Sequence, residues 1–377
     1  MSGKGLAGAV VADTELSLVD GLNGVLIYRG YNILDLGVNA SFEETAYLLW
    51  NGKLPNSAEL DTFKSEMAAM RGMSELVASI LTQFPHNAHP MAVLRTAVSA
   101  MGTVDPDADN LDPANLQRQA MNLVATLPTI IAAWERIRTG KEPIAPRSDL
   151  SHAGNFLYML TGSEPEAAAE AAMDAYLVCL ADHGFNASTF ATRVTFATIS
   201  DMYSAVTSGV GTLKGDAHGR ANQRAMEQFE TAHNTGDVAQ WFADFRADGG
   251  RIMGIGHRVY KVADPRGKIL GPLAAKMSAN SDEGHWYAVA ETIETLAGQD
   301  AYFVDRSLYP NVDYYSSIVL YMIGLPIDQF TCAFAMSRMA GWSAHVLEQA
   351  ANNRLIRPKA QYVGPTDLAY VAVEDRS

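Results

Sequence analysis

Beyond residue 30, almost no stretch of this sequence alternates apolar and polar residues with the period of two that a half-buried strand requires. The core of such a chain must therefore be built from helices. Ser41 and Glu44 spell a capping box ahead of the apolar residues 46–50, and Gly52 and Pro55 stop that helix. Ser163 and Glu166 repeat the box before the alanine-rich residues 167–180. Residues 213–229, 286–296 and 330–350 also carry helical spacing. Only the opening is strand-like. Leu16, Val19 and residues 25–28 flank Asp20-Gly21 and Asn23-Gly24, which predicts a β-hairpin. Residues 105–112 and 142–146 read as connectors, and the polar, glycine-bearing residues 234–250 as a break that lacks the composition of a domain linker. The expected fold is all-α with a short N-terminal β-hairpin.

Composition sets outer limits. With 377 residues, 48% hydrophobic and 19% charged, the chain can bury a sizeable core and is not a disordered one. Its net charge of −14 argues against a general binder of nucleic acid or of anionic membranes, since both need a basic field. The apolar runs 121–134 and 318–326 fall short of the ~20 residues of a membrane span. Met1-Ser2-Gly3-Lys4-Gly5 carries no apolar signal segment, so the cytoplasm is the expected compartment. The two cysteines, Cys179 and Cys332, sit in apolar surroundings and read as buried thiols rather than a disulfide or a metal site.

Nine histidines remain to be sorted. His86 and His89 have an i, i+3 spacing that suits a metal, but no neighbouring carboxylate or cysteine completes the set, so loop packing or capping is expected. His233 and His285 lie in polar segments and read as surface residues. His345 lies on an apolar helix, as a hydrogen-bonded core histidine would, and His152 opens a helix and fits either role. Three others have unusual company. His183 follows Asp182 in a glycine-bearing turn. His218 lies in Lys214-Gly215-Asp216-Ala217-His218-Gly219-Arg220-Ala221-Asn222, where small residues permit close approach of a ligand to the backbone. His257 follows Gly254-Ile255-Gly256. Residues 251–268 hold five basic side chains in 18, against 28 in 377 overall, and one acid, Asp264. A solvated basic face is the plain reading; glycines, a histidine and basic residues together favour an anion site. Asp313, among aromatic and apolar neighbours in Tyr309-Pro310-Asn311-Val312-Asp313-Tyr314-Tyr315-Ser316, is either a helix cap or a partly desolvated base.

Together these stretches resemble the citrate synthase family in its compact bacterial and archaeal form. The resemblance takes in Ala181-Asp182-His183-Gly184-Phe185-Asn186-Ala187-Ser188-Thr189-Phe190, the loop around His218, residues 253–266 and Tyr309 to Ser316. It continues through Ser337-Arg338-Met339-Ala340-Gly341-Trp342 and Asn353-Arg354-Leu355-Ile356-Arg357-Pro358. It implies a large helical domain, residues 1–219 plus 323–377, with a smaller inserted helical domain at 220–322. It implies a transferase of the tricarboxylic acid cycle (citrate (Si)-synthase type) that condenses acetyl-CoA with oxaloacetate and hydrolyses the thioester to citrate and CoA. By family position Asp313 is the base for the acetyl methyl, His218 the donor to the thioester oxygen and His257 the donor to the oxaloacetate ketone. Arg266, Arg338 and Arg357, with His183, would bind the oxaloacetate carboxylates, Arg357 reaching across a homodimer interface. Arg258 and Lys261 would meet CoA phosphates. No cofactor and no metal are implied, acetyl-CoA being a substrate.

The chain departs from the family pattern around His218. Where the family reads Gly-Pro-x-His-Gly-Gly-Ala-Asn-Glu, a proline is replaced by Asp216, a glycine by Arg220 and a glutamate by Gln223. Loss of the proline frees a backbone torsion, and Arg220 brings a cation near the site, so CoA binding and rate are the quantities expected to change. Three other functions fit some of these residues: a 2-methylcitrate synthase using propionyl-CoA, a non-catalytic CoA- or oxaloacetate-binding relative, and a metallohydrolase built on His86 and His89.

Overall fold

The computed structural model describes residues 4–6, 8–279, 281 and 283–376. Three short strands open the fold, β1 Ser17–Asp20, β2 Val25–Tyr28 and β3 Tyr31–Asn32, in one antiparallel sheet of order β1-β2-β3. Helices follow: α1 Ile33–Asn39, α2 Phe42–Asn51, α3 Ser57–Ala69, α4 Glu75–Leu81, α5 Pro90–Val104, α6 Pro113–Arg138, α7 His152–Thr161, α8 Ala167–Leu180 and α9 Ala187–Phe196. The chain continues with α10 Met202–Leu213, α11 Ala221–Asn234, α12 Val238–Ala247, α13 Gly267–Ser278, α14 His285–Gln299, α15 Ala301–Val304, α16 Val312–Met322 and α17 Phe330–Ala351. The all-α expectation holds, and the hairpin lies where Asp20-Gly21 and Asn23-Gly24 put it. None of the described helices is long and apolar enough to cross a membrane.

Helix α17 is the axis of the core. Every residue from Phe330 to Val346 is buried, because its sequence is apolar or small apart from Arg338 and His345, and α2, α5, α6, α8, α9 and α10 pack around it. Gly341 is what lets α17 meet the turn after α8. A Cβ there would lie 2.3 Å from the carbonyl oxygen of Ala181 and 2.6 Å from Asp182 Oδ1. A second group of helices, α11 to α16, packs mainly on itself, with α16 lying against α11 and α13.

Several of the local expectations hold. Ser41 and Glu44 form the reciprocal capping box of α2, and His89 caps α5 by accepting the N–H of Met91 at Nδ1, 3.1 Å. Both cysteines are free and buried, and His345 is fully buried. Three expectations need correction, and one alternative left open is decided. Ser163 and Glu166 do not form a box: α8 starts one residue after Glu166 without a side-chain cap, and the N–H of Ser163 goes to Thr161 Oγ1 instead, 3.2 Å. The run 213–229 is not one helix. It breaks between α10 and α11, where the turn carrying His218 folds back so that Gly219 N–H reaches Leu213 O, 3.0 Å. Residues 234–250 contain a helix, α12, capped by Asp237, which accepts the N–H of Gln240 at 2.9 Å. The cap of α16 is Asn311, whose Oδ1 accepts the N–H of Asp313 at 2.8 Å, so Asp313 sits in the first turn with its carboxyl not engaged in capping.

Candidate active site

Each of the three histidines singled out above occupies a turn beside a helix end. His183 lies between α8 and α9, where Gly184 takes a left-handed backbone (φ +56°) and Asn186 caps α9 through the N–H groups of Ser188 and Thr189, both 3.1 Å. His218 lies between α10 and α11. His257 lies in the loop before α13, which contains two left-handed glycines, Gly254 and Gly256. That loop is zipped to the start of α16: Gly256 N–H donates to Tyr309 O (2.7 Å), Asn311 N–H to Gly254 O (2.8 Å) and Asn311 Nδ2 to Gly256 O (2.8 Å). His257 and Asp313 are therefore held on one locally paired unit.

The hydrogen bonds assign the ring protons. His257 Nδ1 accepts two backbone N–H groups, from Val259 and Tyr260, each at 3.0 Å. An accepting Nδ1 puts the proton on Nε2. His218 has the opposite arrangement. Its Nε2 accepts the N–H of Ser188 (3.3 Å) and lies 2.8 Å from Ser188 Oγ, itself held by Trp342 Nε1–H at 3.2 Å. The proton of His218 is thereby left on Nδ1. Burial pushes both imidazoles down to about 4, Arg338 adding to the effect at His218 and Arg266 at His257. Both are neutral donors at physiological pH.

Asp313 is shifted the other way. Desolvation raises its carboxyl to about 7, helped by Asp264 and opposed by Arg266 and Arg338. The two arginines differ. Arg266, 2% exposed, is clamped by Asp264 in a bidentate pair, Nε–Oδ1 3.0 Å and Nη2–Oδ2 2.7 Å, and Asp264 Oδ2 also accepts the N–H of Val312 at 3.2 Å. Arg338, 1% exposed, donates Nε–H to Leu180 O (2.7 Å) and lies 4.9 Å over the Phe334 ring. That bond uses one of five guanidinium donors, and a buried arginine with donors to spare is suited to an anion.

His183 joins this group directly. Its ring centroid is 5.4 Å from that of His257, and its Nε2 is 3.1 Å from the hydroxyl of Tyr260. Burial, Arg266 and His257 hold it well below the ordinary histidine range. So the buried His183, Arg266 and Arg338 and the half-buried His218, His257 and Asp313 share one electrostatic neighbourhood. Arg258 and Lys261 flank His257 with exposed side chains. Arg357 is exposed on the segment after α17 and does not join the others within this chain. A groove of about 660 Å³ between α2, α3 and α6, lined in part by Tyr47, Phe63, Met70 and Arg118, lies apart from all these groups.

A sequence model described as "Citrate synthase, C-terminal domain" matches residues 5–359. The chain belongs to the citrate synthase family. It is 44% identical to the citrate synthase of Haloferax volcanii, covering 99% of this chain and 98% of that one. It is 42% identical to the 2-methylcitrate synthase of Mycobacterium tuberculosis, over 96% of this chain and 90% of that one. Its fold superposes with a TM-score of 0.94, at 34% identity and 99% coverage of both chains, on the citrate synthase of Thermoplasma acidophilum in ternary complex with carboxymethyl coenzyme A and oxaloacetate.

Four residues of this citrate synthase-like site escaped the sequence reading: Tyr260, which meets His183; Asp264, which holds Arg266 and the start of α16; and Ser188 and Trp342, which orient His218. Asp264-Pro265-Arg266 was the one local signal available, an acid two residues from a base. The others are joined only by folding. The departures around His218 answer one another. Asp216, in the proline position, bonds Arg220, in the glycine position, at 2.8 Å, and Arg224 at 2.5 Å. No group of three or more metal-capable side chains occurs among the described residues.

Proposed function

We propose that this protein condenses acetyl-CoA with oxaloacetate and hydrolyses the product thioester to citrate and CoA. The observation that carries the reading is the complementary protonation of the three reacting side chains: two neutral imidazoles with their protons on opposite ring nitrogens, and a carboxyl raised to about 7. Asp313 takes a proton from the acetyl methyl, and a base lifted towards the working pH is the stronger one for a weak carbon acid. His218 donates Nδ1–H to the thioester oxygen as enolate charge develops there. His257 donates Nε2–H to the oxaloacetate ketone, which accepts the new carbon–carbon bond and becomes the hydroxyl of citryl-CoA. Water then cleaves the thioester, releasing CoA and citrate. Arg266, Arg338 and His183 hold the oxaloacetate carboxylates, with the partner subunit's Arg357 completing them in a cytoplasmic homodimer. Arg258 and Lys261 meet CoA phosphates, and residues 220–322 form the small domain inserted between the two parts of the large one.

Free-thiol release, measured with acetyl-CoA and propionyl-CoA in parallel and each with and without oxaloacetate, tests the reading. Oxaloacetate-dependent release that prefers acetyl-CoA and falls by about 10²–10⁴ in Asp313→Asn is expected. A preference for propionyl-CoA would transfer the assignment to 2-methylcitrate synthesis, which the 42% identity to such an enzyme makes the natural comparison. Calorimetric binding of oxaloacetate without turnover would make the protein a binding relative.

A further inference from the structure

The N-terminal hairpin touches both histidine turns. At its open end, Ser17 and Tyr28 stand opposite each other in the register of β1 and β2. Ser17 Oγ–H donates to Asp182 Oδ2 (2.5 Å), and Ser17 Oγ accepts the N–H of Gly184 (3.0 Å), which also reaches Asp182 Oδ2 (3.1 Å). Tyr28 donates to Asp182 O (2.7 Å) and accepts the N–H of Asp182 (3.2 Å). His183 is thus gripped on both sides by one cross-strand pair. At the closed end, Gly21 O accepts the N–H of Lys261 (2.8 Å), and a Cβ on Gly21 would lie 2.2 Å from Val259 O. Residues 259–261 include the two whose N–H groups orient His257. Tyr260 then reaches back to His183, closing a circuit of His183 turn, hairpin, His257 loop and Tyr260.

We propose that the hairpin is a positioning device that sets the separation of His183 and His257, with Ser17 and Tyr28 holding one histidine and Gly21 seating the loop of the other. Its catalytic consequence rests on reading those two histidines as oxaloacetate contacts. A rigid antiparallel pair is suited to this because its length is fixed by its register, about 3.4 Å per residue. Displacing one histidine by an ångström costs binding or rate steeply.

The test uses Ser17→Ala, Ser17→Thr and Gly21→Ala in the full chain, with two readouts. Amide exchange of residues 257–263 and 182–185 in the ligand-free protein reads the coupling itself. Oxaloacetate KM and kcat for thiol release read its consequence. Gly21→Ala is expected to speed exchange in 257–263 and to raise the oxaloacetate KM about tenfold. Ser17→Ala is expected to speed exchange in 182–185 and to raise KM about fivefold with kcat within about twofold, from the loss of one hydroxyl. Ser17→Thr, which keeps the hydroxyl, restores both. Wild-type exchange and KM in Gly21→Ala and Ser17→Ala would overturn the proposal, as would failure of Ser17→Thr to differ from Ser17→Ala. If the wild type releases no thiol, the proposed function falls, while the exchange data still decide whether the hairpin couples the two turns.

Discussion

His345 Nε2 stands 3.2 Å from Asp182 Oδ1, and both side chains are completely buried. Arg193 donates to His345 Nδ1 at 3.0 Å, which leaves the ring proton on Nε2, facing the carboxylate. Arg193 is itself paired with Glu348 at 2.6 Å and bonded to Gln349 at 2.9 Å. The core of α17 is thereby tied to the residue preceding His183 through a chain of buried polar contacts. Removing a buried hydrogen-bonding partner leaves the other group unsatisfied, at about 1–3 kcal/mol. His345→Leu is therefore expected to lower stability by about that much in urea unfolding. His345→Gln, which can both accept from Arg193 and donate to Asp182, should recover more than half of the loss. Equal losses in the two variants would mean that packing, not polarity, is what His345 supplies.

The pH dependence of turnover follows from Asp313. With its carboxyl raised to about 7, the fraction of active base falls tenfold per unit below that value. The expected profile of kcat/KM rises with unit slope to a bend near pH 7 and is then flat. His218 and His257, held at about 4, stay neutral donors across this range and add no further limb above pH 5. Asp313→Asn should lose about 10²–10⁴ of kcat. A bend near pH 4 in wild-type kcat/KM would show that Asp313 ionises as an ordinary carboxyl and would remove the basis for calling it a tuned base.

These groups show how far sequence reading reaches here. His218, His257 and Asp313 were legible because each lies in a short motif whose neighbours announce it, and α2 and α17 because a capping box and an unbroken apolar run are local. What escaped is what folding joins over long distances. Ser17 meets Asp182 across 165 positions, and Tyr260 meets His183 across 77. The break in 213–229 escaped for a different reason. Helical spacing on either side hides the poor helix formers Gly215, Asp216 and Gly219 between them, and the turn at His218 is closed by the backbone bond between Gly219 and Leu213 and by the hold of Ser188 on the imidazole. Asn311 outcompetes Asp313 as cap because its side chain sits one position before the helix, where Oδ1 can reach an unsatisfied N–H.

The pair Asp216–Arg220 gives a prediction about rate without stability. Both side chains are partly exposed, at 54% and 27%, and exposed pairs contribute about 0–1 kcal/mol. Asp216→Ala is expected to leave the unfolding midpoint nearly unchanged. It also releases Arg220 and Arg224 together beside the turn that carries His218, so kcat should fall by up to about fivefold, the rate equivalent of 1 kcal/mol. Restoring the family pattern with Asp216→Pro and Arg220→Gly together should return kcat to the wild-type value or above. A double variant slower than Asp216→Ala would show that the ion pair is not what replaces the proline.

Stability should decline in mild acid, and the sign can be worked out group by group. His152 is pushed down to about 3 by burial, His218 and His257 to about 4, and His183 well below its ordinary value. Each takes up a proton only on unfolding, so each contributes stability that is full above about 6.5 and lost as pH falls towards 4. Asp313 and Asp174, both raised to about 7 by burial, do the reverse: they hold a proton in the folded state and release it on unfolding, so their contribution shrinks as pH rises through 4 to 7. Near pH 5 four histidines outweigh two aspartates, which leaves a net uptake of about two protons on unfolding. Urea midpoints should therefore fall between pH 6.5 and 4.5. Asp313→Asn deletes one opposing group, so relative to the wild type it should gain stability as pH rises from 4 to 7 and hold that gain above 7. A constant difference between the two proteins across this range would mean that Asp313 carries no raised carboxyl in the folded state.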